Sequence, residues 1–269
     1  VYVIAFKQWT TEVFYDAANS TGSPLGTVQG AKMNYGCAHQ DSVQNIDDTL
    51  VWLSNTRSSQ LQVVMVNQLK VDAISTKPVE RLLKGLDLTT IFSWQFKDEG
   101  HVFYVLTSKV SNLTLAYDLT ERLWYQWTDV NGNYVPIVAS TFDSSMNHLV
   151  QHETNGKIYL MNHDYTNDDG SIITSDLVTP NYDGGTRQIK HMPFMEIIAD
   201  QTPGSILLAR RSVDDYQTWS NWRRIDLSKK RPFLDNCGSF RKCAYHFRHQ
   251  SNTKLRIKAA EMQLDLGTL

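Results

Sequence analysis

His148 and His152 stand four residues apart in "NHLVQHE", close enough in sequence to suggest a metal pair. On an extended strand they share a face. At ~3.3 Å per residue they lie roughly 13 Å apart, too far for one ion. His246 and His249 fall on opposite faces of such a strand. "TNDDGS" (166–171) has acidic residues of calcium-loop type. It lacks the full ligand spacing and the closing glutamate, so it reads as a turn. No Gly-x-Ser-x-Gly elbow, phosphate loop or Cys/His quartet occurs. The three cysteines, Cys37, Cys237 and Cys243, are too few for a disulfide framework. They read as free thiols, with a Cys237–Cys243 bridge left open. The sequence therefore leads us to expect no catalytic residues, no metal ligands and no cofactor.

Two stretches carry a different pattern, an aspartate before a turn with tryptophans after it. In "LTLAYDLTERLWYQWTD" (113–129), Asp118 ends one apolar run and is placed to accept backbone N–H groups of the turn. Trp124 and Trp127 follow, three residues apart, so they face opposite sides of a strand. We expect one to pack between neighbouring sheets and the other to face solvent or a partner. In "SVDDYQTWSNW" (212–222), Ser212, Asp214, Thr218 and Trp219 match the Asp-box, Ser-x-Asp-x-Gly-x-Thr-Trp, of sialidases and other propellers. Tyr216 stands where that motif has glycine, so the turn must differ there. An Asp-box staples a hairpin and does no catalysis. A sialidase would also need an arginine clamp, a tyrosine nucleophile and an acid/base carboxylate. Arg210, Arg211, Arg223 and Arg224 are at hand, but nothing in their spacing draws them into one clamp.

The elements that hold these residues are strands. "DTLVWLS" (48–54) and "LQVVMVNQ" (61–68) form a hairpin; "GHVFYVLTS" (100–108), "LTLAYD" and "LWYQWTD" form a meander; "NHLVQHE" (147–153) pairs with "GKIYLMNH" (156–163). "PFMEIIAD" (193–200), "SILLARRS" (205–212) and "TKLRIKAAEMQLDL" (253–266) complete the set. "STKPVERLLKGLD" alone reads as a helix, with Ser75 or Thr76 at its start, Pro78 in its first turn and Gly85 near its stop. The strands entered at Asp48, Gly100 and Asn147 repeat at intervals of 52 and 47 residues. A period near 50 with several strands per unit is the mark of propeller blades. The fold expected is all-β and propeller-like, built of repeated antiparallel sheets with one short helix. It is expected to form one domain over 1–269. "VYVIAF" at the start reads as mid-strand, so the chain is expected to be a fragment truncated on the N-terminal side.

Composition agrees with a folded chain: 269 residues, 41% hydrophobic, 20% charged and a net charge of −2. No apolar run approaches the ~20 residues of a membrane span. The charge is uneven. Residues 205–258 carry thirteen Lys/Arg against four Asp/Glu, and the remainder is acidic. Arg210, Arg211, Arg223, Arg224, Lys229, Lys230, Arg231, Arg241 and Lys242 form the basic segment, interleaved with aromatic residues. It suits an acidic protein face, non-specific contact with DNA, or arginine packed over tryptophan.

The order of "TEVFYDAAN", "GCAHQDSVQNIDDTLVWLS", "VDAISTKPVERLL", "WQFKDEGHVFYVLT", "LAYDLTERLWYQW", "TNDDGSIITSDLVTP" and "SILLARRSVDDYQTWSNWRRIDL" resembles the packaged-DNA stabilisation proteins of P22-like short-tailed phages. The resemblance runs from about residue 10 to the end and departs at Tyr216. It implies a tail accessory or hub protein of the virion, assembled in the host cytoplasm, with a propeller-like domain and no catalytic site. Its implied partners are other copies in a ring, the portal or an adaptor, and a tail needle or tailspikes. Implied too is a role in retaining packaged DNA. Two rivals are a carbohydrate-active propeller, sialidase- or lectin-like, and a kelch-like protein-binding module.

Overall fold

A computed structural model describes residues 2–58 and 60–267. The chain forms two compact units, Val1–His163 and Asp164–Leu269.

The first unit is a succession of four antiparallel sheets. The first contains β1 (Tyr2–Phe6), β2 (Thr11–Asp16) and β3 (Leu25–Thr27). The second is a four-stranded meander, β4 (Gln44–Ile46), β5 (Thr49–Asn55), β6 (Leu61–Asn67) and β7 (Lys70–Ala73). The third repeats that order with β8 (Ile91–Asp98), β9 (His101–Ser108), β10 (Leu113–Asp118) and β11 (Leu123–Gln126). The fourth has β12 (Ile137–Phe142), β13 (His148–His152) and β14 (Ile158–Met161). The expected period is visible here. Asp48, Gly100 and Asn147 each sit in the tight turn between the first and second strands of a sheet. These turns use left-handed backbone at Asp47 and Asp48, at Glu99 and Gly100, and at Met146. Such turns match the right-handed twist of the strands they join.

Each sheet buries a face against the next. Ile4, Phe6 and Val13 of the first sheet meet Trp52, Val64 and Val66 of the second. Val51, Leu53 and Val63 on the second sheet's other side meet Tyr104, Leu106, Leu115 and Tyr117 of the third. The third sheet then turns Trp94, Phe96, Val105 and Ala116 toward Val150, Tyr159 and Met161 of the fourth. The third sheet is thus covered on both faces. This explains why β10 is buried at all six positions instead of alternating. The expected helix is α1 (Lys77–Leu83), begun at Thr76 with Pro78 in its first turn. Thr76 makes no side-chain cap, so Val79 and Leu83, both buried, anchor α1 to the core.

The second unit is built differently. A two-stranded hairpin, β15 (Asn167–Asp168) and β16 (Ser171–Ile172), turns through Asp169 and Gly170, both left-handed. Two larger sheets follow, made from β17 (Ser175–Val178), β18 (Lys190–Ala199), β19 (Ile206–Ser212), β20 (Arg223–Asp226), β21 (Phe233–Phe240), β22 (Ala244–His249), β23 (Ile257–Met262) and β24 (Asp265–Leu266). One sheet runs β17-β22-β19-β20. The other is β21-β18-β23, with β24 also on β18. Apart from β19 and β20, neighbours in these two sheets are non-consecutive, so this unit does not continue the up-and-down order of the first. Its core joins the two sheets through Met192, Met195, Ile197, Leu207, Ile225, Leu234 and Phe247. Pro193 lies inside the central strand β18, where it cannot donate to a ladder. The register shifts between Met192 and Phe194, so the proline occupies a bulge. No helix among the described residues is long and apolar enough to cross a membrane.

Candidate functional site: stapled hairpin tips and a guanidinium–indole stack

Aspartates tie the turns. The carboxylate Oδ1 of Asp118 accepts the N–H groups of Thr120 (2.8 Å) and Glu121 (3.2 Å). Its Oδ2 lies 2.7 Å from His101 Nδ1 on the neighbouring strand. The same bond from residue i+2 back to an aspartate recurs at Asp16, Asp87, Asp129, Asp143, Asp183 and Asp226. A carboxylate used this way satisfies turn N–H groups that would otherwise need water. Hydrogen bonds from Asn147 hold the Asp143 carboxyl below the usual carboxylate range, and those from Ser228 do the same for Asp226.

Trp124 and Trp127 point to opposite sides of the third sheet, and both pack. Trp124 joins the core shared with the second sheet, lies tilted against Tyr117 with ring centroids 4.9 Å apart and donates Nε1–H to Ile74 O at 2.8 Å. Trp127 lies 5.4 Å from Phe103 and 6.1 Å from Trp94, on the side of the fourth sheet.

In the β19–β20 connection, Ser212 Oγ donates to Asp214 Oδ1 (2.7 Å) and accepts Tyr216 N–H (3.0 Å). Thr218 donates its N–H to Asp214 Oδ1 (3.0 Å) and its hydroxyl to Oδ2 (2.5 Å). These bonds, led by the Thr218 hydroxyl, bring the Asp214 carboxyl down to about 2. Each polar atom of the triplet faces the hairpin itself. Asp215 and Tyr216 take φ of 59° and 68°, so the tyrosine adopts the left-handed backbone that glycine supplies in the motif.

The arginines do not converge. Arg210 lies 4.3 Å from the Trp222 ring and 5.1 Å from that of Trp219, and its Nε and Nη2 reach His246 Nδ1 at 3.1 and 3.0 Å. Arg248 adds a second guanidinium 5.2 Å from Trp222 and binds Asp176 through Nε (2.7 Å) and Nη2 (3.0 Å). His246 Nε2 lies 2.7 Å from the same carboxylate. The result is an alternation of indole and guanidinium over β22 and β19. Burial works against the Asp176 charge, but Arg248 and His246 outweigh it and leave the carboxyl lowered. Arg211 instead enters the interior beside Gly238. A Cβ added at Gly238 would lie 2.8 Å from Arg211 Nη2. Arg223 pairs with Asp235, Arg231 with Glu196 and Lys242 with Asp215, while Arg241 donates to Arg187 O. Arg224, Lys229 and Lys230 are exposed. Trp222, Arg248 and Asp176 were not singled out from the sequence. The period-two spacing of His246 and Arg248 signals a shared face, whereas Asp176 is joined to them only by the pairing of β17 with β22.

The remaining candidates are apart from one another. His152 Nδ1 accepts Thr154 N–H, and His249 Nε2 lies 3.0 Å from Ser205 Oγ. Cys37, Cys237 and Cys243 are all free thiols. Burial pushes Cys243 up to about 11. Among the described residues no group of three or more His, Cys, Asp or Glu is arranged to hold a metal ion.

Residues 1–166 match the family model described as bacteriophage P22 Gp10, beta-propeller. No curated protein matches the chain. Among solved structures, the exo-beta-1,3-galactanase of Phanerochaete chrysosporium with galactose is similar over 95% of this chain and 75% of that one, at 9% identity and a TM-score of 0.27. A variant of that enzyme with beta-1,3-galactotriose gives the same coverage and TM-score at 11% identity. A glycoside hydrolase is similar over 97% and 84% at 11% identity, with a TM-score of 0.24.

Proposed function

This chain belongs to the phage structural family of the bacteriophage P22 Gp10 beta-propeller, and from that premise we propose that it is a hub-type component of the virion tail. It assembles with copies of itself under the portal, helps retain packaged DNA and offers docking faces to later tail parts. The observation that carries this reading is the way polar chemistry is used. Aspartates, hydroxyls and indoles close the chain's own hairpins, which makes a stiff body suited to repeated docking contacts. The same bonds support a structural role, since Asp214 and its hydroxyl partners are engaged in the β19–β20 turn.

The basic segment serves protein docking in this reading. Four of its nine cations are held by carboxylates or carbonyls of the chain itself, and Arg210 is held by indoles and His246. Interspersed acids suit a protein partner better than the unbroken charge of a phosphate backbone. Electron microscopy of the full-length protein incubated with its portal tests the proposal. Rings at the portal are the expected result, and dispersed single particles under conditions where both proteins are folded would refute it.

A further inference from the structure

The fourth sheet of the first unit meets the third around a histidine with no polar company. His148 begins β13 and is 3% exposed. Its ring packs edge-on to Phe142 at 4.7 Å and Phe96 at 5.0 Å, and lies 6.0 Å from Trp94. Neither ring nitrogen has a hydrogen-bond partner. A neutral imidazole is tolerated in such a cage, whereas an imidazolium without an acceptor is strongly disfavoured.

The surroundings offer little to offset a charge. From β8, Asp98 is the one charged group acting on the ring, and its carboxylate is already engaged by the N–H and ring of His163. Lys97 is paired with Asp47 of the second sheet's turn. β12 contributes Phe142, with Asp143 beyond its end tied to Ser145 and Asn147. β14 sets Met161 opposite His148. Phe103 and Trp127 of the third sheet join the same aromatic group around Phe96, and the His101–Asp118 pair lies past Phe103.

We propose that His148 makes the contact between the third and fourth sheets an acid-sensitive latch, shut while the imidazole is neutral and opened when it takes a proton. Opening separates β12–β14 from β8–β11 and exposes the aromatic layer between them. Burial brings the closed-state His148 down to about 4, with Asp98 pulling the other way, against 6.5 for the free side chain. The open state therefore binds the proton more readily, so the latch is held fully above pH 6.5 and is released progressively as pH falls toward 4. Between pH 7.5 and pH 5 the open population rises about 30-fold, as linkage requires for those two affinities.

Hydrogen exchange, corrected for the intrinsic pH dependence of the chemistry, reads this directly. In the wild-type chain, protection in β12–β14 is expected to fall about 30-fold from pH 7.5 to pH 5 while β5 and β6 stay protected. His148→Gln and His148→Phe, which cannot titrate, are expected to show flat profiles in β12–β14. His152→Gln is expected to keep the wild-type fall. Flat wild-type protection, an equal fall in either non-titrating variant, or a fall shared by β5 and β6 would each overturn the latch. If neither His148 variant folds, the wild-type profile and its retention in His152→Gln still decide the matter.

Discussion

At the residue scale, the chain relies on one repeated device, a carboxylate folded back onto the N–H two residues ahead. Asp214 closes a longer loop, taking the N–H four residues ahead while the hydroxyls of Ser212 and Thr218 share its carboxylate. Its acidity gives a signed expectation. A carboxyl held near 2 when folded, below its ordinary 3.8, stabilises the fold above pH 4. That contribution is lost as pH falls from about 4 toward 2. Asp214→Asn should weaken the hairpin at neutral pH and remove this part of the acid dependence, which thermal melts across that pH range would show. Tyr216 gives a second test. A residue with a Cβ in the left-handed region is strained by about 1 kcal/mol relative to glycine. Tyr216→Gly should therefore be about 1 kcal/mol more stable than Tyr216→Ala in denaturant titrations. The alanine variant is the proper reference, since both changes lose the Tyr216 contact with Thr179 O.

At the element scale, sheets are joined by residues that were legible as apolar but not as to which side they serve. Trp124 and Trp127 illustrate this. Their three-residue spacing sends them to opposite faces, yet the expectation that one would meet solvent or a partner assumed a sheet covered on one side. The third sheet is covered on both, so each indole finds a core. Gly36 marks a tighter joint. A Cβ there would sit 2.1 Å from Gln8 O, while Gly36 O accepts the Trp52 indole N–H at 2.9 Å. Gly36→Ala must move the backbone of one segment away from the other. It should cost about 2–3 kcal/mol, as other forced overpacking does, measurable by chemical denaturation. The strand Ile91–Asp98 escaped notice because "IFSWQFKD" packs Ile91 toward the second sheet and Trp94 and Phe96 toward the fourth. Two-sided burial blurs the period-two signal on which strand recognition depends.

At the scale of the molecule, the two units have separate cores, one spread through four stacked sheets and one held between two. Their stabilities should respond separately. Met195 is 1% exposed in the core of the second unit. Met195→Ala should lower that unit's stability by about 2–5 kcal/mol, in line with other large-to-small core changes. Exchange protection of β5, β6 and β9 should be unchanged. A uniform loss across both units would show that they unfold as one cooperative body.

In this sequence, the all-β class, the recurring entry turns and the staple at 212–219 rest on local causes: side-chain alternation, left-handed turn positions and short-range hydrogen bonds. Those are complete within ten or so residues, and the sequence by itself determines them. The resemblance to a phage structural family was carried by the order of longer stretches. Tertiary structure alone decided the rest. Asp176 joins Arg248 across 72 positions of chain, Trp124 reaches Ile74 across 50, and the proton affinity of His148 is lowered because Trp94, Phe96 and Phe142 arrive from other strands. A side chain's partners and its proton affinity depend on what the fold brings near and on how much water it removes, and neither is encoded at any single position.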